Sequence, residues 1–316
     1  MTRRGLCPVT GGENPAAWGG EWGGLDRDRE GRMTDRFEAY CARREQAALA
    51  ATIPGYATRD DAQPVDMVRI ENAWSDSLFD GPFYRGLTPS VAGIPITSLV
   101  FVQSRDGNTV APDPASLGGG ETDLHLIYEG LSRVDADAVM AGAATARAKD
   151  IVFSVWHPEL VALRRARSRT RHPVQVLVTQ NGDLRIEDGL MFNEPSLRVV
   201  IVTRTSAVDT LRARIVSKPW IEVVDAGEPV SFGRAFRSLR DRGIEVMSCV
   251  GGRTTATALL REHLVSDIYL TTSPRAGGVP GTPYFDGPAL PLDRVVLKEG
   301  RGTERGVTFE HLRLRA

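Results

Sequence analysis

From residue 94 onward the chain alternates short apolar runs with amphipathic stretches, and this alternation constrains its fold more than any other feature. Residues 98–102, 138–141, 174–179, 199–203, 245–250 and 268–272 read as buried strands, and residues 124–133, 232–242 and 254–262 carry the helical period. Parallel strands need crossover connections and are covered on both faces, which is why they read as continuous apolar runs. Residues 294–298 and 307–314 then follow without an intervening helix and predict a closing antiparallel pair. The expected fold class is therefore α/β, with three layers around a mostly parallel central sheet and a C-terminal antiparallel pair.

The part before residue 94 is different. Residues 1–32 hold the runs Gly11-Gly12-Glu13-Asn14-Pro15 and Gly19-Gly20-Glu21-Trp22-Gly23-Gly24, with no strand or helix period, and are expected to be a disordered tail or a mis-assigned start ahead of Met33. A helix is expected from Met33 to about Ala51, with Thr34 or Asp35 as its cap and Phe37, Tyr40 and Cys41 on one face. Residues 52–96 are rich in Pro, Gly and Asp, yet Trp74, Phe79, Phe83 and Tyr84 make them too aromatic for a free linker. The expected organisation is a tail over 1–32, a helix and extended segment over 33–96 packed on the core, and a main domain over 97–316.

Composition excludes several function classes. The net charge is −1 among 316 residues, and only Lys149, Lys218 and Lys298 are lysines, so no basic footprint for nucleic acid shows. No apolar run reaches the roughly 20 residues needed to span a bilayer. Cys7, Cys41 and Cys249 are too few and too scattered for a disulfide framework or a zinc site. A cytoplasmic protein without metal, membrane or nucleic-acid partner is expected.

Three segments carry chemistry. Met247-Ser248-Cys249-Val250-Gly251-Gly252-Arg253-Thr254-Thr255 is a strand running into paired glycines and a helix start. Glycine lets the backbone approach a phosphate, and the helix N-terminus supplies free N–H groups and positive dipole. Asp137 to Thr145 delivers Gly142 and Thr145 to the C-terminal end of a strand, where open α/β sheets bind ligands. Gln103-Ser104-Arg105-Asp106-Gly107 places Asp106 directly after the first sheet strand, where its carboxylate is able to accept from a substrate amino or hydroxyl group. Each segment alone is also an ordinary turn.

Taken in order, they resemble the reductase domain of the bifunctional deaminase–reductase of riboflavin biosynthesis, within the dihydrofolate-reductase-like superfamily. Ser104, Asp106, Gly107, Arg133, Asp137, Ala138, Gly142 and Thr145 match its pattern, as do Gly251, Gly252, Thr254, Leu264, Val265, Asp267 and Pro274. The zinc deaminase half would need His-x-Glu and Pro-Cys-x-x-Cys, and neither occurs. The resemblance implies NADPH as cofactor, a small-molecule substrate and a homodimer. Gly251, Gly252, Arg253, Thr254 and Thr255 would hold the pyrophosphate, with Gly142 and Thr145 beside the nicotinamide half. Thr203 and Arg204, followed by Thr205 and Ser206, suit a 2′-phosphate, because Arg offers a planar fork to phosphate oxygens.

On the substrate side the chain departs from that pattern. Val250 stands where the family has a carboxylate, and Lys149-Asp150-Ile151-Val152 replaces its Asp-Asp-Pro-x-Leu segment. Asp106 is expected to orient the substrate as the catalytic carboxylate, with Ser104 and Arg133 binding it and Trp156 offering a stacking face. His157 is the one histidine to test as an acid, and Cys249 is expected to be an inert buried thiol. The expected activity is hydride transfer from NADPH to an imine or carbonyl carbon of a heterocyclic substrate, in an altered pocket. The alternatives are the standard 5-amino-6-(5-phosphoribosylamino)uracil reductase of riboflavin synthesis and a non-catalytic binding protein on the same fold.

Overall fold

The computed structural model describes residues 27–148 and 150–315. Helix α1 (Arg27–Ala50) leads into strands β1 (Tyr56–Asp61) and β2 (Met67–Arg69), helix α2 (Ala73–Phe79) and strand β3 (Tyr84–Gly86). The main domain begins with β4 (Ile96–Gln103), a π-helical segment (Thr122–Leu131) and a short α3 (Ser132–Val134). It continues through β5 (Ala138–Gly142), α4 (Ala143–Ala148), α5 (Pro158–Ala166), β6 (Val174–Val178), β7 (Val199–Thr203) and α6 (Thr205–Arg214). Then come β8 (Ile221–Asp225), α7 (Phe232–Asp241), β9 (Val246–Cys249), α8 (Arg253–Arg261), β10 (Asp267–Thr272), β11 (Leu292–Gly300) and β12 (Thr308–Leu314).

One ten-stranded sheet runs in the order β1-β11-β12-β10-β4-β9-β5-β6-β7-β8. The strands from β10 to β8 in that order are mutually parallel, and β12, β11 and β1 add antiparallel at one edge. The expected closing pair is β11 with β12. Alternate residues of the central strands enter two cores, which makes the fold three-layered. Val139, Ala141 and Leu177 face the core under α1, α5 and the π-helical segment, while Met140, Val176 and Val200 face that of α7 and α8.

Two strands carry little sequence signal. β8 has one neighbour only, so its burial is patchy. β1 reads Tyr-Ala-Thr-Arg-Asp-Asp and is a strand because β11 offers it a partner edge, not because of its own pattern. The extension thus contributes a strand to the main sheet as well as packing on it. α1 also begins before Met33: the expected tail falls partly on its first turns, and for the rest on residues 1–26, outside the described residues. Among the described residues no helix is long and apolar enough to cross a membrane.

Candidate active site

Parallel strands release their chains at one edge, and four of them, β10, β4, β9 and β5, are neighbours there. Gly142 closes β5, and Gly251 and Gly252 follow β9 with φ of +89° and +85°. A Cβ on Gly252 would lie 3.5 Å from Thr255 Oγ1 and 3.9 Å from Gly142 N, while one on Gly251 would meet nothing within 4 Å. The two glycine turns and Thr255 therefore converge on one open crevice. Gly252 gives α8 no side-chain cap, so the first amides of that helix lack intrahelical partners at the same place. This cradle, open to backbone approach and positive in dipole, fits a dinucleotide diphosphate. Thr145 lies half-buried on α4 next to it, and Thr254 is exposed on the first turn of α8. Arg253 is already engaged: its Nε donates to Pro283 O at 3.0 Å and its Nη2 pairs with Asp286 Oδ2 at 3.0 Å.

The segment expected to meet a 2′-phosphate is less simple than its sequence suggests. Thr203 is buried at the end of β7. The hydroxyls expected to face a 2′-phosphate already donate to carboxylates: Thr205 Oγ1 to Asp225 Oδ1 at 2.8 Å, and Ser206 Oγ to Glu228 Oε1 at 3.1 Å. Glu228 also accepts from Ser206 N at 3.1 Å, and Arg204 Nη1 stands 3.8 Å from it. An internal anion occupies the start of α6.

Of the expected substrate residues, Ser104 is fully buried and structural. Its N–H donates to Asn108 O at 3.0 Å, its carbonyl accepts from Gly107 N, and its Oγ accepts from Asn108 N. Asp106 sits at the tip of that turn with about half its side chain in solvent, 3.9 Å from Arg105. Trp156 and Arg133 are both buried. Trp156 is 1% exposed, with its ring enclosed by Tyr40, His172 and the Arg171 guanidinium, so it has no free face for stacking a ligand. Arg133 is likewise 1% exposed, lies 4.5 Å from the Tyr128 ring centroid, and donates from Nη1 to Ser154 O at 3.0 Å. The helix laid over them by the extension, α1, is what closes this region: Phe37 packs on it, and Arg44 pairs with Glu129.

Other motif residues act as framework. Asp137 accepts from the backbone of Glu245 and Val246 at 2.9 Å, tying the starts of β5 and β9, and Asp267 is buried against His311 Nε2 at 2.9 Å. Both lie at the strand edge opposite the crevice. His157 is buried, stacked on Trp74 at 4.0 Å, and caps α5. Cys249 is the inert buried thiol expected, pushed up to about 12 by burial. Among the described residues no cluster of three or more His, Cys, Asp or Glu could hold a metal.

One group of functional character escaped the motif reading. Asp123, in the first turn of the π-helical segment, is 8% exposed, and burial pushes its carboxyl up to about 7 against the lowering effect of the Thr271 hydroxyl. Glu304 lies beside it, buried and also raised by burial; its Oε1 accepts from Thr122 N at 3.0 Å and its Oε2 has no partner. Over them runs Gly118-Gly119-Gly120, and a Cβ on Gly119 would come within 3.0 Å of Asp123 Oδ2. Beside this loop opens a cleft lined by Gly118, Gly120, Glu121, Arg275, Glu304 and Arg305. The signal in the sequence was the triple glycine, which only the packed structure relates to a carboxylate.

Comparison with known proteins identifies the chain. The RibD C-terminal domain family matches residues 95–307. The chain belongs to that family. A curated relative, 2,5-diamino-6-ribosylamino-4(3H)-pyrimidinone 5′-phosphate reductase of Archaeoglobus fulgidus, is 25% identical over 154 residues, 49% of this chain and 68% of the relative. A pyrimidine reductase-like protein from Corynebacterium diphtheriae superposes with a TM-score of 0.59 at 20% identity, covering 70% of this chain and 92% of that one. A deaminase/5-amino-6-(5-phosphoribosylamino)uracil reductase from Thermotoga maritima gives 0.51 at 16% identity, over 70% of this chain and 57% of that one. This RibD-family chain is an oxidoreductase of the reductase type, with the expected α/β architecture.

Proposed function

We propose that this chain is a pyrimidine reductase of the riboflavin type, reducing a ribosylaminopyrimidine 5′-phosphate with a reduced nicotinamide dinucleotide, NADPH by the family resemblance. The observation that carries this reading is the presence of two features at the same edge of the sheet. The glycine cradle of Gly142, Gly251 and Gly252 lies at the ends of β5 and β9, and a cleft beyond the end of β10 bears Arg275 and Arg305, neither paired with a carboxylate among the described residues. The cradle suits the cofactor diphosphate, and the two arginines suit the phosphate of a substrate. When bound, the dinucleotide supplies the hydride; the chain orients both ligands and excludes water.

The names of the relatives favour this over the altered-pocket reading drawn from Val250 and residues 149–156. Val250 is 2% exposed and part of the core, so its difference from a carboxylate removes no group from the open crevice. A homodimer rests on the resemblance, and light scattering on the purified chain tests it. The activity is tested by mixing the chain with NADPH and, separately, each of the two ribosylaminopyrimidine 5′-phosphates named by the relatives. Dinucleotide oxidation with either compound supports the proposal. Binding of NADPH without oxidation in either mixture would leave the binding-protein alternative.

A further inference from the structure

We propose that a second cleft, across the 301–306 turn from the one bearing Arg275, binds a phosphoryl anion and competes there for Arg305. This outer cleft measures about 390 Å³ and is lined by Arg59, Glu299, Arg301 and Arg305 around a glycine-rich turn. Arg59 lies on β1 and Glu299 on β11, which pair as the outermost ladder of the sheet. The family match begins at residue 95, so Arg59 and the side-chain partners of Arg301, Ser77 and Asp80, belong to the extension. The outer wall is therefore an addition to the shared domain. The anion site stands by itself; its effect on turnover rests on the reductase reading above.

Two of the guanidinium groups are held in place yet keep N–H groups to spare. Arg59 donates from Nε to Glu299 Oε2 at 2.7 Å and its Nη2 pairs with the same oxygen, which leaves Nη1 without a partner among the described residues. Arg301 donates from Nη1 to Ser77 O at 3.2 Å and sets Nη2 3.4 Å from Asp80 Oδ1, which leaves Nε. Arg305 adds a third guanidinium, paired with no carboxylate among the described residues. Three cations thus stand against two carboxylates, and one positive charge stays uncompensated. A phosphoryl group offers three strong acceptor oxygens, one for each guanidinium, where a carboxylate offers two.

The turn between the two clefts sets Arg305 where it serves either. Gly302 and Gly306 take φ of +53° and +88°, and a Cβ on Gly300 would lie 2.1 Å from Glu304 O, so only glycine lets the chain fold back this tightly. Glu304 pins the turn inward, its Oε1 accepting from Thr122 N at 3.0 Å. Arg305, the next residue, is exposed and lines both clefts. A guanidinium engaged by an anion on the outer side is withdrawn from a phosphate on the inner side. Occupation of the outer cleft therefore weakens the hold on a phosphorylated substrate, and the substrate weakens the outer anion by the same factor.

Nitrogen-15 NMR of the arginine Nε–H groups, assigned with Arg59→Gln and Arg301→Gln, reads the site without turnover. Inorganic phosphate and ribose 5-phosphate are titrated separately at constant ionic strength. With one or both, the Arg59 and Arg301 signals should move together to a single saturating midpoint, and the lower midpoint tells whether the free anion or a sugar phosphate is the better occupant. In each single variant the midpoint at the remaining arginine should rise at least ~10-fold, the scale of one lost charge-assisted bond. Shifts that never saturate, that chloride reproduces, or whose midpoint is unchanged in both variants overturn the site. With the ribosylaminopyrimidine 5′-phosphates as substrates, added phosphate should raise KM more in the parent than in Arg301→Gln. An equal rise puts phosphate in the inner cleft alone and overturns the competition for Arg305. No oxidation with either compound overturns the reductase reading, while the NMR titration still decides the site.

Discussion

Replacing Gly252 by aspartate and, in parallel, by alanine separates the two things a glycine does at the proposed cofactor turn. Both replacements put a side chain at φ +85°, a conformation that costs roughly 1–3 kcal/mol for a non-glycine residue. Both place a Cβ at 3.5 Å from Thr255 Oγ1 and 3.9 Å from Gly142 N, ordinary contact distances, so the fold accepts either. They differ in the charge that aspartate projects into the crevice where the diphosphate would sit. At about 4 Å, two like charges repel by about 1 kcal/mol in bulk water and about 4 kcal/mol at an effective dielectric constant near 20. A partly open crevice lies between these limits, and about 2 kcal/mol corresponds to roughly 30-fold in affinity. Titration of NADPH by its own fluorescence, with thermal unfolding as the control, should show the two variants equally destabilised. The aspartate variant should bind at least ~30-fold more weakly than the alanine variant. Affinities within twofold of each other would refute the assignment of this turn to the cofactor.

Glu228 takes the place expected for a 2′-phosphate, so Glu228→Gln should strengthen NADPH binding severalfold and leave NADH nearly unchanged; parallel titrations with the two dinucleotides read the ratio. Trp156→Ala should cost about 3–5 kcal/mol in chemical unfolding, the scale for emptying an aromatic core site, with NADPH affinity kept. A large affinity loss without destabilisation would instead return Trp156 to the site. His172 is pushed down to about 4 by burial, helped by the nearby Arg171 and Arg164 charges, so it folds neutral while its unfolded counterpart protonates near 6.5. Its contribution is complete above about pH 6.5 and is lost as pH falls toward about 4. The ceiling is on the order of 3 kcal/mol, reduced by solvent at its exposed edge. Its ring packs edge-on against Phe37, so α1 should loosen first in acid, which hydrogen exchange reads helix by helix.

The legibility of this fold follows the burial of each element. Strands β5, β6, β7 and β10 are covered on both faces, so their apolar runs announce them. β1 and β8 are edges, paired on one side only, and their residues alternate or are polar because solvent reaches them. The proposed cofactor turn drew attention because paired glycines at a strand end stand out in the sequence, and both take positive φ. The buried carboxyl of Asp123 did not, since a buried aspartate in a helical stretch looks like any exposed one until Glu304 is brought beside it from a turn far along the sequence. The burial of Trp156 was hidden for the converse reason. An indole near an expected pocket looks available, and only the placement of α1 shows that it is covered.

The reductase assignment is met most directly by following the hydride. The chain is incubated with NADPH carrying deuterium on C4 of the nicotinamide and with each of the two ribosylaminopyrimidine 5′-phosphates, and the products are analysed by mass spectrometry. The account predicts that the deuterium is recovered on carbon of the reduced pyrimidine product from one face of the nicotinamide only. NADPH left intact beside either unreduced compound would contradict it.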